Sequence, residues 1–312
     1  MLTTPIGASA LEGLDSVNRL WVADKHRFDS PNGLLSPAAL MQLGPLMLSL
    51  RRERYDQLLL LHHLTTWFGI AKYLLLTRAI GAARTVGLDN GRGFLDVGVP
   101  DAGFGIMHEV DCCLAVAEAA GATRPVDPRL EIAQPADGAK ERWLALHAGS
   151  GVFSLARRWP PEQFAEVGRR LASRYGLQPV VIGTEVDREP SERLLRELDC
   201  GALDFVGEKS VAETAAILRR CHLLISNDSG AVHLAAAVGT PVVAVFGPSN
   251  DRAWGPYPPS EHRVVRATLP CSPCFYRGKS LGTPQGCATR DCLRLVTPDM
   301  VVAAAEELLL NQ

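Results

Sequence analysis

LLISNDSGAVHLAAAVGTPVVAVFG, residues 223–247, is the stretch that decides the fold of this chain. Its apolar run at residues 223–226 predicts a buried strand, and the polar turn that follows leads into a short helix at residues 231–238. A Gly-Thr-Pro stop ends that helix, and residues 242–246 predict a second buried strand. Strand, helix and strand in this order form the unit from which parallel sheets are built, so the sequence predicts an α/β fold.

The turn inside this unit has the composition of an anion-binding site. In parallel sheets, ligands bind where the carboxyl ends of strands meet the amino ends of helices. Asp228, Ser229 and Gly230 lie at that point, and the unpaired N–H groups of a helix start suit a phosphate. An ordinary capped helix is the alternative. His233, about one turn further on, faces the same mouth and favours a binding site.

Residues 223–247 resemble the lipopolysaccharide heptosyltransferases, a glycosyltransferase family whose second domain carries a similar D-[ST]-G-x-x-H-L-A-A-A-x-G-x-P-x-x-x-x-F-G string. Four other segments match further motifs of that family: residues 2–5, 55–62 (loosely), 147–160 and 180–185. The resemblance implies the GT-B architecture, in which two Rossmann-like α/β/α domains with parallel sheets face a central cleft.

By this resemblance the protein is an inverting, metal-independent glycosyltransferase that moves heptose from ADP-heptose to the inner core of lipopolysaccharide. Its partners would be ADP-heptose or a related nucleotide sugar and a lipid-linked oligosaccharide acceptor, which it would meet at the inner membrane. No cofactor is implied. Two alternatives stay open: a catalytically inactive paralogue that binds a sugar nucleotide, and a transferase of the same fold that uses another nucleotide sugar.

The amino end departs from the family pattern. Members begin with a strand and a G-[DG]-D-x-[LV]-L-x-T-P loop, whose Asp is taken to be the catalytic base. Here Met1 stands directly before the segment that carries Thr3 and Thr4, two expected substrate-binding residues, so the strand and the Asp are expected upstream. We interpret this as a start codon assigned too late; a truncated, inactive paralogue is the alternative.

The departing diphosphate of a nucleotide sugar gains negative charge, so the site needs donors aimed at it. Arg157 takes the place of the family's Lys and offers a bidentate fork to phosphate oxygens, although a solvated basic pair with Arg158 is the alternative. Ser150 and Gly151 follow a predicted strand, and their backbone is expected to line the donor cleft.

The remaining candidates are assigned by position. Asp228, with Arg157 a catalytic candidate, is expected to contact sugar hydroxyls or to hold its loop, while the N–H groups of Ser229 and Gly230 bind phosphate. Glu185 follows a strand, where a carboxylate can accept hydrogen bonds from a ribose, or it is a surface residue. His233 donates to a phosphate oxygen or packs as a buried polar residue.

Composition fits a soluble enzyme of about two domains, since the chain has 312 residues, 47% of them hydrophobic and 21% charged. The net charge of −2 gives no general attraction to nucleic acid. No apolar run approaches the roughly 20 residues that span a bilayer, and no cleavable leader opens the chain. We expect a cytoplasmic protein that rests at the inner membrane face.

Two α/β halves are predicted, an acceptor-side domain at residues 1–138 and a nucleotide-sugar-binding domain at residues 139–312, joined by a Pro-rich linker at residues 125–138. In the first half the predicted strands are residues 19–24, 55–61 and 84–88, and the predicted helices are Pro37–Arg52, Trp67–Ile80 and 107–120. Residues 87–105 predict a Gly-rich loop that connects elements at the surface; the alternative is a loop that faces the cleft and contacts the acceptor. In the second half the predicted elements before residue 223 are Trp143–His147, Pro161–Tyr175, 179–182, 189–198 and Val211–Arg220.

Four of the eight cysteines form a C-x2-C-x12-C-x4-C pattern: Cys271, Cys274, Cys287 and Cys292. This spacing suits a tetrathiolate zinc ion or an iron–sulfur cluster, whereas a reducing cytosol disfavours disulfides. Because the chemistry of the family requires no metal, free thiols are the alternative. No D-x-D pair, the usual carboxylate clamp for a divalent ion on a nucleotide sugar, occurs in the sequence. We therefore expect no catalytic metal.

Overall fold

The computed structural model describes residues 1–24, 28, 30–34, 36–89, 91, 93–133, 139–199, 201–207 and 209–310. The amino-terminal half contains two small parallel sheets with helices around them. Its strands are β1 Leu2–Thr3, β2 Trp21–Val22, β3 Gln57–Leu60, β4 Arg84–Asp89 and β5 Val97–Pro100. Its helices are α1 Pro5–Leu11, α2 Pro31–Leu34, α3 Pro37–Arg52, α4 Trp67–Ile80 and α5 Glu109–Ala119. Strands β3, β4 and β5 form one sheet in that order, and β1 pairs with β2.

The Gly-rich segment at residues 87–105 is not only a loop, contrary to the prediction. It contains β5, which pairs in parallel with β4 from Val97 to Pro100. Val97 and Val99 pack against a buried cluster of β4 and α5 side chains. The period-two alternation of these valines carried the strand signal, and the surrounding glycines, which are rare in strand interiors, obscured it.

The carboxyl-terminal half is built on a larger sheet. Its strands are β6 Trp143–His147, β7 Gln178–Gly183, β8 Leu203–Val206, β9 Cys221–Asn227, β10 Val242–Val245, β11 Arg263–Val265, β12 Phe275–Arg277 and β13 Ser280–Gly282. Its helices are α6 Pro161–Tyr175, α7 Arg188–Leu198, α8 Val211–Arg220, α9 Gly230–Ala237, α10 Asp251–Trp254, α11 Asp291–Arg294 and α12 Pro298–Leu309. Six strands form one parallel sheet in the order β11-β10-β9-β6-β7-β8, and β12 and β13 form an antiparallel hairpin. The sequence analysis did not predict β8, β11 or α12.

Two buried clusters cover the two faces of the large sheet. Leu144 and Leu146 of β6 point into a cluster formed with α6, α7 and α12, while Ala145 points into a second cluster with α8 and α9. Alternate residues of a strand face opposite sides of the sheet, and here helices bury both sides. That is why β6, β9 and β10 read as almost continuous apolar runs rather than as alternating patterns.

The two halves touch through the segment before α5. The Phe104 N–H donates to Gly278 O at 2.8 Å, and His108 Nε2 lies 2.9 Å from Gly255 O. Residues 134–138 of the predicted linker lie outside the described residues, so the domain boundary stays a prediction. In the described part of the chain, no helix has both the length and the apolarity that a membrane crossing requires.

Candidate functional site

The polar turn after β9 is tied to the loop after β6. The Asn227 side chain accepts a hydrogen bond from the Trp159 N–H at 2.9 Å and donates to Ala148 O at 2.8 Å and Gly149 O at 3.0 Å. These strands are neighbours in the sheet, so their carboxyl ends meet at one edge. The fold thereby brings the predicted Ser150–Arg157 region and the Asp228 turn to the same place.

The amino end of α9 is open toward the cleft. Ser229 is the N-cap residue but makes no side-chain cap; its Oγ lies 3.1 Å from His147 Nδ1 instead. Gly230 is exposed, and a Cβ added there would meet nothing within 4 Å. The first turn of α9 therefore has room beside it for a ligand, and the helix dipole favours an anion there.

Arg157 and Asp228 form a buried pair at this opening. Arg157 Nη1 lies 3.2 Å from Asp228 Oδ2, with side-chain exposures of 14% and 8%. Its Nη2 donates to Ser150 O at 2.9 Å, while its Nε is buried without a hydrogen-bond partner. A buried donor without a protein partner is costly unless water or a ligand supplies an acceptor, and the neighbouring Arg158 Nε is in the same state. The alternative of a solvated basic pair is wrong for Arg157.

Asp187 is a site residue that the sequence analysis missed. Its Oδ1 lies 3.2 Å from the N–H groups of Ser150 and Gly151 and from Arg158 Nη2, and its Oδ2 accepts from Thr184 Oγ1 at 2.9 Å. Burial alone would raise the pKa of this carboxyl, but its contacts with His147, Thr184 and Gly151 outweigh burial and hold that pKa well below its usual range. The carboxylate is therefore a charged anchor for the loop after β6.

A local signal for Asp187 existed. Thr184 and Asp187 form a capping box at the start of a 3-10 turn, with a Thr followed three residues later by an acidic residue. The sequence analysis weighed Glu185 in this loop instead. The Glu185 side chain is 68% exposed and lies 3.6 Å from Arg188 Nη2. A ribose contact for Glu185 stays a prediction.

Three further predicted site residues lie on other parts of the fold: His233 on α9, and Thr3 and Thr4 before α1. His233 is half-buried on α9; its burial lowers its pKa, the nearby Asp228 carboxylate opposes that shift, and His108 and Arg157 add to it. Thr4 Oγ1 accepts from the Gly7 N–H at 3.2 Å and caps α1. The hydrogen bonds that the structure records for this capping turn are local, so a substrate role for Thr3 and Thr4 stays a prediction.

A buried acid–base cluster lies in the amino-terminal half. His63 Nδ1 is 2.9 Å from Asp101 Oδ1, and His63 Nε2 is 3.1 Å from Glu109 Oε1. Burial alone would lower the pKa of His63, but hydrogen bonds to Cys112, Glu109 and Asp101 raise it to about 10. Potential ligand atoms of His63, Glu109 and Cys112 lie within 4.8 Å of one another. A protonated imidazole between two carboxylates satisfies this cluster without an ion.

Comparisons with known proteins identify relatives of this chain. Lipopolysaccharide heptosyltransferase 2 of Salmonella typhimurium is 29% identical over 175 residues, which are 54% of this chain and 47% of the relative. The chain thus spans about half the length of this curated relative. Among solved structures, a family 9 glycosyl transferase from Veillonella parvula has a TM-score of 0.72 at 22% identity, and the alignment covers 100% of this chain and 88% of the Veillonella chain. The ADP-heptose lipopolysaccharide heptosyltransferase II of Escherichia coli has a TM-score of 0.68 at 22% identity, covering 99% and 88%.

The structural neighbours establish the fold, and the predicted GT-B architecture is confirmed. The family assignment rests on a separate finding. The family model described as glycosyltransferase family 9 (heptosyltransferase) matches residues 45–284, well over half of the sequence. This chain therefore belongs to glycosyltransferase family 9, the heptosyltransferase family.

Proposed function

We propose that the protein transfers a heptose from ADP-heptose to the inner core of lipopolysaccharide, with inversion at the anomeric carbon. The observation that carries the proposal is the buried Arg157–Asp228 pair, whose unpartnered Arg157 Nε lies at a site beside the open start of α9. The name of the Escherichia coli structural neighbour, an ADP-heptose heptosyltransferase, supports the choice of donor.

The nucleotide diphosphate binds at the amino end of α9. Backbone N–H groups of Ser229 and Gly230 and the guanidinium of Arg157 supply positive potential there without any metal ion. Asp187 keeps the Ser150–Gly151 backbone in position, and His147 contacts both Asp187 Oδ2, at 3.7 Å, and Ser229 Oγ. These donors are positioned before the substrate arrives, so they need no reorganisation during the reaction.

Transfer proceeds by a single displacement. The acceptor hydroxyl loses its proton to a base and attacks the anomeric carbon from the face opposite the diphosphate, which inverts that centre. Negative charge then grows on the leaving diphosphate, where Arg157 and the α9 dipole stabilise it. Asp228, beside Arg157, accepts hydrogen bonds from sugar hydroxyls and fixes the orientation of the guanidinium.

The acceptor binds on the amino-terminal side of the cleft, at the inner membrane face. Large apolar side chains are exposed on three helices of the amino-terminal half, among them Ile6 at 79% on α1, Met41 at 78% on α3 and Trp67 at 74% on α4; a membrane-proximal position requires them to share one face. The lipid-linked oligosaccharide and ADP-heptose are thus the partners of a cytoplasmic protein, and nucleic acid is not among them.

Calorimetry with ADP and with ADP-heptose tests the donor site. Arg157→Ala should weaken the binding of both ligands by about 1–3 kcal/mol, the scale of a charge-assisted hydrogen bond. Asp228→Asn should weaken ADP-heptose more than ADP, because only the former carries the sugar. Arg170→Ala is the matched control, since Arg170 lies in an exposed ion pair with Asp299 at 2.7 Å.

Added magnesium should leave these affinities unchanged, and heptose transfer should follow them in an assay of ADP release with a lipopolysaccharide acceptor. Unaltered ADP affinity in Arg157→Ala, or equal losses in Arg157→Ala and Arg170→Ala, would contradict the proposed donor site. Transfer that depends on magnesium or manganese would contradict the fixed-charge mechanism.

A further inference from the structure

Four thiols surround one cavity at the edge of the carboxyl-terminal half. The cavity has a volume of about 160 Å³, and all four cysteines of the C-x2-C-x12-C-x4-C pattern line it. They approach from different segments: Cys271 and Cys274 precede the β12–β13 hairpin, Cys287 follows it, and Cys292 lies in α11. The donor-site chemistry proposed above uses none of these thiols.

The chain between these cysteines has little core of its own. From 276 to 291, every residue is described and none is buried, whereas Phe275 and Cys292 on either side are buried. A segment with so few buried apolar groups needs another source of order, and in small folded units that source is a disulfide or a metal. The four thiols are free in the structure, so no disulfide holds the segment.

We propose that Cys271, Cys274, Cys287 and Cys292 together bind a thiolate-ligated metal centre, either a zinc ion or an iron–sulfur cluster. Soft thiolates select these metals over magnesium or calcium. The metal ligands are supplied in two pairs from either side of the hairpin, so binding closes the segment into a compact unit. Among the described residues, no three of these four sulfur atoms lie within 4.8 Å of one another, so binding of a single zinc ion requires the exposed hairpin to move inward.

The centre also braces the loop that carries Arg157. Ser154 Oγ donates to Pro284 O at 2.5 Å, and a Cβ added at Gly286 would lie only 2.7 Å from Ala156 Cβ. The rings of Phe153 and Phe275 have centroids 5.7 Å apart. The cysteine segment therefore packs directly on residues 153–156, immediately before Arg157. This bracing role rests on the proposed function, whereas metal binding itself does not.

Metal analysis of the full chain, purified without chelator and without oxygen, tests the proposal. We expect either about one zinc or about two to four iron atoms per chain, the iron form with the visible absorption of an iron–sulfur cluster. Cys287→Ser changes an exposed ligand and should lose most of the metal. Cys113→Ser, at a half-buried cysteine outside the cavity, should retain it. Loss of metal should speed proteolytic cleavage between residues 276 and 291.

The proposal is overturned if the wild-type chain carries no metal and its four thiols react fully with a thiol reagent, or if mass spectrometry finds disulfides among them. Equal metal content in Cys287→Ser and in the wild type also overturns it. The bracing role predicts that the metal-depleted Cys287→Ser chain binds ADP at least 5-fold more weakly than Cys113→Ser. Unchanged ADP affinity refutes bracing, whereas a metal-bound wild type that binds no ADP refutes only the donor-site function.

Discussion

Replacement of Asp187 by Asn removes the charge that anchors the loop after β6. The Asp187 carboxylate is 2% exposed and holds two backbone N–H groups, the guanidinium of Arg158 and the hydroxyl of Thr184. An amide keeps only one oxygen, so its NH2 group must face either the Ser150, Gly151 and Arg158 donors or the Thr184 hydroxyl. Arg158, 19% exposed at its side chain, loses the buried carboxylate that lies 3.2 Å from its Nη2.

We expect Asp187→Asn to lower the free energy of unfolding by about 3 kcal/mol at pH 7. Loss of a charge-assisted hydrogen bond accounts for about 2 kcal/mol, and a donor left without an acceptor accounts for about 1 kcal/mol. The total is close to the measured cost of breaking a buried ion pair, about 3–5 kcal/mol. ADP affinity should fall as well, because the Ser150–Gly151 backbone loses its anchor.

The pH dependence gives a second test. The pKa of Asp187 is depressed in the folded state, so its contribution is fully present above the unfolded-state pKa of about 3.9 and is lost as the pH falls toward the folded-state pKa. The difference in stability between wild type and Asp187→Asn should therefore be constant from about pH 5 to 7 and narrow below about pH 4.

Denaturant unfolding followed by tryptophan fluorescence measures this difference, since Trp159 is fully buried in the same half. Asp299→Asn is the matched control, because Asp299 is 82% exposed in its ion pair with Arg170 and should contribute at most about 1 kcal/mol. If Asp187→Asn and Asp299→Asn have equal effects at pH 7, the Asp187 network does not hold the loop and the reasoning is refuted.

Three further changes test other parts of the structure. His63→Gln should lower the melting temperature at pH 6.5. Because the folded-state pKa of His63 is raised to about 10, the difference in melting temperature between wild type and His63→Gln should shrink as the pH rises from about 6.5 and vanish above about 10. A difference that does not change with pH would contradict this prediction. Gly168→Ala should cost about 1–3 kcal/mol in denaturant unfolding, since the added Cβ would lie 2.8 Å from methyl groups of Leu146 and Leu198; a neutral result would show that α6 can shift. Trp159→Phe loses a hydrogen bond from Nε1 to a main-chain carbonyl at 3.0 Å and should cost about 2 kcal/mol by the same measurement, whereas a loss below about 0.5 kcal/mol would contradict that bond.

Much of the carboxyl-terminal fold was predictable from local pattern. The strand, turn, helix and strand of residues 223–247 agree with β9, α9 and β10 to within two residues at each end. Both faces of the sheet are covered, so its strands appear as continuous apolar runs bounded by Gly and Pro. Shorter or more exposed strands were not predicted. Two of the four residues of Leu203–Val206 are exposed, and the strand Arg263–Val265 is only three residues long.

The strands of the amino-terminal half were also harder to predict from the sequence, because they too are short and partly exposed. Gln57–Leu60 has a single buried residue, and Val97–Pro100 has none. Burial on one side or at an edge leaves a mixed sequence that pattern alone does not separate from a loop. The pairing of β4 with β5 had to be found in the structure.

The sequence by itself determined the α/β class and the polar turn at the start of α9, because apolar periodicity and turn residues are local properties of the chain, whereas the family and the GT-B architecture were predicted from a resemblance of motifs. It also proposed Asp228 from the residues of that turn, and Arg157 by resemblance. That these two residues, 71 positions apart, form a buried ion pair was decided by the tertiary structure, as was the role of Asp187 as the anchor beneath them. A buried charge meets its partners on strands that become neighbours only when the sheet assembles. The spacing of these residues along the chain does not give their distance in the folded protein.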